Sequence, residues 1–218
     1  MIAQQNSIDI RNEASDAEIA SWLHAFLSEA LDRDDGMVAI SMPGGSTPFP
    51  IVEAMIAHDR ALPESDRLAF DRLTVWPGDD RVVPEDHEAS NTGKIRALFE
   101  PLGAAVVALN PMEKVPHFAL TWLGMGADGH IASLFPNTDP QADDPQKVRT
   151  LTPDPLPPEA PFDRITMTLS KLLSAESLVF VMRGADKLAL FEAAAKGEND
   201  LPVARLLRAA RGEVVCFA

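Results

Sequence analysis

The chain has 218 residues, 46% hydrophobic and 24% charged, the balance of a soluble globular protein long enough to bury a sizeable core. Its formal net charge of -14 argues against general nucleic-acid binding and against binding to acidic membranes, because both need a basic face. No apolar run reaches the roughly 18 residues of a membrane span, the first fifteen residues lack the basic start and apolar stretch of a secretory signal, and a single cysteine, Cys216, excludes an internal disulfide.

The predicted elements follow in chain order. Ile19, Trp22, Leu23, Phe26, Leu27 and Leu31 stand at helical spacing in 16–33, behind a cap at Ser15 or Asp16. "MVAIS" (37–41) reads as a short buried strand, "PGGS" as a turn, and "TPFPIVEAMIAHD" as a helix with proline in its first turn. A strand at 72–76 leads into a polar loop over 77–90 and a helix over 91–100. "HFALTWLG" (117–124) is the next strand, and a helix is expected to start near His130. Residues 136–161 hold eight prolines and read as an irregular surface excursion with one short strand at 147–151. Strands at 164–170 and 177–184 flank a short helix, and two helices (185–197 and 202–211) precede a last strand at 212–218. The expected fold is therefore α/β: one domain over 1–218, three αβα layers, with a mostly parallel Rossmann-like sheet between helices. Ligands of such sheets bind at the carboxyl ends of the strands.

The unusual residues all follow strands. In "SMPGGSTP" (41–48), Gly44 and Gly45 let the backbone approach a ligand, and Ser46 and Thr47 bring hydroxyls to a helix start suited to phosphate; a tight turn with an N-cap is the alternative. In "WPGDDRVVPEDHEASN" (76–91), Arg81 can clamp a phosphate or carboxylate while Asp80 or Asp79 fixes its orientation; a solvated ion pair is the alternative. Ser90 and Asn91 read as caps of the following helix. In "GMGADGHIASLFP" (124–136), Gly124 and Gly126 turn the chain, Asp128 either caps a helix or holds His130, and His130 can move a proton near neutral pH. In "RGADKLALFE" (183–192), Lys187 occupies a helix's first turn, where the dipole disfavours a cation; a surface lysine tolerates this, and a lysine facing a bound anion explains it better. His24, His58, His87 and His117 stand alone, with no metal-ligand spacing between them.

"GGSTP", "DDRVVP...SN", "GMGADGHIASLFP" and "GADK", in this order, resemble the motifs of 6-phosphogluconolactonases, from about residue 15 to the C-terminus. The same α/β fold serves glucosamine-6-phosphate deaminases. Arg81 stands here where deaminases usually carry Tyr, and Ser133, Leu134, Phe135 and Pro136 where they continue Phe-Asn-Glu-Pro. Two positions depart from the lactonase pattern: Asp80 replaces its usual glutamate, and Ile131 stands where Thr is frequent. The resemblance implies metal-free and cofactor-free hydrolysis of a phosphosugar lactone in the cytoplasm, by a monomer or small homo-oligomer without nucleic-acid or membrane partners. It implies His130 as general base, Asp128 as its orienting partner, and Arg81 and Lys187 on the phosphate. The Gly44–Thr47 turn, Asp80, Asn91 and Gly126 would complete the substrate pocket. A sugar-phosphate-binding regulator without catalysis and a deaminase-like enzyme are the alternatives.

Overall fold

The computed structural model describes residues 7–218; the part of the signal-peptide reading and of the domain span that falls on 1–6 lies outside them. Seven strands form one parallel sheet: β1 (Ile8–Arg11), β2 (Val38–Met42), β3 (Leu73–Pro77), β5 (Ala105–Val106), β6 (Phe118–Leu123), β9 (Ala175–Val181) and β10 (Glu213–Phe217), in the order β1-β10-β9-β6-β2-β3-β5. Strands β2, β6, β9 and β10 are nearly all apolar and nearly all buried, as parallel strands covered on both faces must be.

Helices α1 (Asp16–Arg33), α2 (Pro48–Ala61) and α3 (Asn91–Phe99) cover one face, where Leu23, Leu27, Ile51, Met55 and Phe99 pack on Val38, Ile40 and Val75. Helices α4 (Leu169–Leu172), α5 (Ala185–Ala195) and α6 (Pro202–Ala209) cover the other, where Phe191, Val203 and Leu206 meet Phe180, Val214 and Cys216. The result is the three-layer αβα fold expected. Ser15 starts α1 with a capping box: its hydroxyl accepts from the Glu18 N–H (3.3 Å) and the Glu18 carboxylate accepts from the Ser15 N–H (2.9 Å).

Three local expectations are corrected. First, residues 79–81 are not loop but a strand, β4 (Asp79–Arg81), which pairs antiparallel with β8 (Arg164–Met167). With β7 (Val148–Leu151), the strand expected inside the proline-rich excursion, they form a second sheet in the order β4-β8-β7. Second, no helix starts near His130. Residues 124–135 form a coiled loop, pinned by the buried Ile131 bridging to Met125 and Leu134. Third, β1 has no counterpart among the predicted elements. It is a four-residue edge strand, only partly buried, and too short to show a period.

The topology locates the site. From β2 the chain runs outward through β3 and β5, then crosses to the other side of β2 to lay down β6. This reversal opens a crevice beyond the carboxyl ends of β2 and β6, where ligands of doubly wound sheets bind.

Candidate active site

A cavity of about 320 Å³ occupies that crevice, lined by Gly44–Thr47 after β2, Asp79 and Arg81 of β4, Asn91 of α3, Gly124–Gly126 and His130 after β6, and Arg183 and Lys187 after β9. Four loops, far apart in sequence, converge because four parallel strands end side by side. Of the sequence-predicted residues, Gly44, Gly45, Ser46, Thr47, Arg81, Asn91, Gly126, His130 and Lys187 line it; Asp80 and Asp128 do not.

The loop after β6 builds the histidine. The Gly126 N–H donates to the His130 carbonyl (2.9 Å) and the Gly129 N–H to the Gly126 carbonyl (3.0 Å), closing a tight turn. A Cβ at Gly126 would fall 2.1 Å from His130 Cε1, so the ring lies in space that only glycine leaves open. His130 Nδ1 donates to Asp128 Oδ1 at 2.6 Å, and the His130 N–H meets the same oxygen at 3.2 Å. Phe135 supports the ring at 4.9 Å between centroids. With Nδ1 committed, Nε2 is the nitrogen left for chemistry. Partial burial pushes the Asp128 carboxyl up, but the charge and hydrogen bonds of His130 outweigh it and hold the group below the usual carboxylate range. Of the two roles open to Asp128, the structure selects holding His130, since there is no helix to cap.

Strand β4 divides its residues by alternation: Asp79 and Arg81 face the cavity and Asp80 faces inward. The expected place of Asp80 in the substrate pocket is thereby corrected. Its buried carboxylate accepts five hydrogen bonds, from the N–H groups of Arg81 (2.8 Å), Asn91 (2.6 Å) and Thr92 (2.8 Å) and the hydroxyls of Ser90 (3.2 Å) and Thr92 (2.6 Å). Asp80 is an anion at the N-terminus of α3, where free N–H groups and the helix dipole favour it. Ser90 completes that cap by accepting from the Gly93 N–H (3.0 Å).

Asn91 joins the loops. Its Nδ2 donates to the Asp79 carbonyl (2.9 Å) and its Oδ1 accepts from Arg81 Nη1 (3.2 Å), which also donates to the Ala89 carbonyl (2.9 Å). The Asn91 amide fills the space beside Gly44, where a Cβ would fall 1.9 Å from Oδ1. Asn91 thus orients Arg81 and keys the loop after β2 to β4.

Asp79, which the sequence offers only as an alternative partner for Arg81, lines the cavity. Ser133 Oγ donates to its carboxylate at 2.5 Å. Burial raises the Asp79 carboxyl above the usual range; the Ser133 hydrogen bond and the Arg81 and His130 charges offset this only in part. Strand alternation over 79–81 places it at the cavity, but only once the pairing with β8 makes those residues a strand.

Thr47 stands at the N-cap of α2, but its side chain makes no capping bond, and Pro48 follows at the first helical position. Its hydroxyl therefore stays uncommitted on the cavity wall. Gly184 starts α5 at φ 99, a conformation suited to glycine, and likewise brings no side-chain cap. Lys187 lies in the first turn of that helix and on the cavity. The remaining histidines have partners or positions elsewhere: His24 Nε2 donates to Asp59 (3.0 Å), His87 Nδ1 accepts from the Ala89 N–H (3.0 Å), His117 bonds Ser174 (3.2 Å), and His58 meets the His24 ring edge-on. Cys216 is fully buried in β10, and burial pushes its thiol up to about 12. Among the described residues no group of three or more His, Cys, Asp or Glu could hold a metal ion, and no helix is long and apolar enough to cross a membrane.

Fold and site together define a doubly wound α/β protein whose crevice sets a histidine–aspartate pair beside three cationic side chains. The chain belongs to the family of glucosamine-6-phosphate isomerases/6-phosphogluconolactonase, whose family model matches residues 11–112 and 99–216. A 6-phosphogluconolactonase of Pseudomonas aeruginosa is 32% identical over 217 residues, covering 88% of this chain and 85% of that protein. The crystal structure of a 6-phosphogluconolactonase from Thermotoga maritima superimposes with a TM-score of 0.77 at 20% identity, over 97% of this chain and 99% of that one. A monomeric glucosamine-6-phosphate deaminase superimposes with a TM-score of 0.72 at 15% identity, over 96% of each chain. At these identities both structures speak to the fold alone, and the fold is common to both activities.

Proposed function

We propose that this chain hydrolyses 6-phospho-D-glucono-1,5-lactone to 6-phospho-D-gluconate, in the cytoplasm and in the oxidative pentose phosphate pathway. One observation carries the reading: His130, tied to Asp128 through Nδ1, leaves Nε2 free at a cavity that also presents Arg81 and Lys187. The relatives named 6-phosphogluconolactonase support it.

In this reading His130 Nε2 takes a proton from water as the water oxygen bonds to the ring carbonyl carbon. Asp128 stabilises the imidazolium that forms. The carbonyl electron pair moves to oxygen, and backbone N–H groups of a glycine turn on the cavity wall, other than those already bonded at Gly126 and Gly129, stabilise the oxyanion. On collapse the bond from that carbon to the ring oxygen breaks, and His130 returns its proton to the departing oxygen. One water is consumed and the base is restored, with no call on a metal or cofactor. Lys187, Arg81 and the Gly44–Thr47 turn hold the phosphate remote from the reacting carbon.

The test is a coupled assay with fresh lactone, corrected for spontaneous hydrolysis, beside an ammonia assay with glucosamine-6-phosphate. Lactone opening without ammonia release is expected. Deamination with isomerisation needs further proton-transfer groups, and here Leu134 is buried in the core while Phe135 packs on His130. Ammonia release at a rate comparable to lactone opening overturns the reading.

Lys187→Ala is expected to raise KM about 10- to 100-fold, the loss of a charge-assisted contact worth roughly 1.5–3 kcal/mol, with a smaller fall in kcat. Steady-state kinetics at low and high salt checks this. An unchanged KM at both places the phosphate elsewhere.

A further inference from the structure

Arg183 lines the cavity four residues before Lys187, ahead of the Gly184 N-cap of α5, yet it is tied outward. Its guanidinium donates to the Asp16 carboxylate, in the first turn of α1, and to the Ala14 carbonyl at 3.2 Å. We propose that Arg183 is a phosphate-binding residue that Asp16 holds until ligand arrives, and that it exchanges Asp16 for the phosphate of the ligand. The proposal rests on the phosphosugar reading above.

Three observations carry it. The ion pair is exposed, with side-chain accessibilities of 37% for Arg183 and 49% for Asp16, so solvent screens it and it breaks at little cost. Asp16 keeps a favourable place without its partner, because a carboxylate in the first turn of a helix is stabilised by the dipole. The Ala14 segment is held independently, by its N–H to the Ala218 carbonyl (3.0 Å) and by the Ser15 capping box. Arg183 can therefore leave without loosening α1.

Charge supplies the demand. A phosphate monoester dianion calls for about two positive charges, and Lys187 brings one. Arg81 also serves the phosphate in that reading, but its charge is shared with the Ala89 carbonyl, the Asn91 amide oxygen and the neighbouring Asp79. Arg183 lines the same cavity as Lys187, and its planar fork suits two phosphate oxygens at once. In a chain of net charge -14, a second cation at this point also offsets the repulsion a dianion meets on approach.

The experiment is calorimetric titration of 6-phosphogluconate and of unphosphorylated gluconate into the whole protein, Arg183→Met and Asp16→Asn, with thermal melts to verify folding. Breaking the ion pair from either side must have opposite consequences. Arg183→Met is expected to weaken 6-phosphogluconate about tenfold or more. Asp16→Asn is expected to tighten it about two- to fivefold, the share of binding that displacing an exposed carboxylate consumes. Neither alters the response to gluconate. Weakening by both variants would make the pair a pin for α1 and overturn the proposal, as would unchanged affinity in either. These titrations need no turnover. Variants that behave as expected in a protein that fails to open the lactone sink the catalytic reading alone. A protein that opens the lactone but binds 6-phosphogluconate equally well as Arg183→Met sinks this proposal alone.

Discussion

Replacement of His130 by alanine is expected to lower kcat by about 10²–10⁴, the usual contribution of a positioned general base, while 6-phosphogluconate still binds. The imidazole is the group at the cavity with a nitrogen held by a carboxylate and another left free, so its loss removes proton transfer at both stages of lactone opening. Folding should suffer little, because the ring fills space over Gly126 and the loop is anchored by Ile131 and Leu134 in the core. Initial rates with fresh lactone, together with titration of the product, separate the two effects. Near-normal turnover would make His130 a loop-shaping residue and the mechanism wrong.

Asp80→Ala is expected to damage both stability and binding, although Asp80 does not line the cavity. Alanine leaves the buried N–H groups of Asn91 and Thr92 without their acceptor and frees the Ser90 and Thr92 hydroxyls. Stranding several donors of this kind costs on the order of 3–5 kcal/mol, or about 10 °C in Tm for a chain of this size. The start of α3 then drifts and takes Asn91 and Arg81 with it, so KM rises as well. Thermal unfolding and steady-state kinetics on the same preparation read both. A Tm within about 2 °C of the unaltered protein, with KM unchanged, would refute the role.

These two residues show where sequence reading succeeds and where it stops. The long elements announced themselves through apolar runs and helical spacing, and the parallel sheet followed from their alternation. The glycine-flanked loops after β2, β6 and β9 were legible because unusual residues cluster there, and the structure brings nearly all of them to one cavity. What stayed hidden was short or long-range. Strand β4 has three residues, all charged, and its identity depends on β8, more than eighty positions away. Without that strand, nothing local tells Asp79, at the cavity, from Asp80, beneath it. The helix expected after His130 failed for a related reason: Ile131 and Leu134 fold back into the core as loop anchors, and their spacing mimics the start of a helical face.

The contact between Asn91 and Gly44 carries a consequence for how the site meets its ligand. The amide occupies the volume that any side chain at position 44 would need, and it also grips Arg81 and the Asp79 carbonyl. Two walls of the crevice are therefore braced against each other before anything enters. A guest finds a finished receptacle there and spends little of its interaction energy on immobilising loops. The same bracing limits divergence: a bulkier residue at 44 becomes tolerable only alongside a smaller one at 91, so the two positions can drift only as a pair.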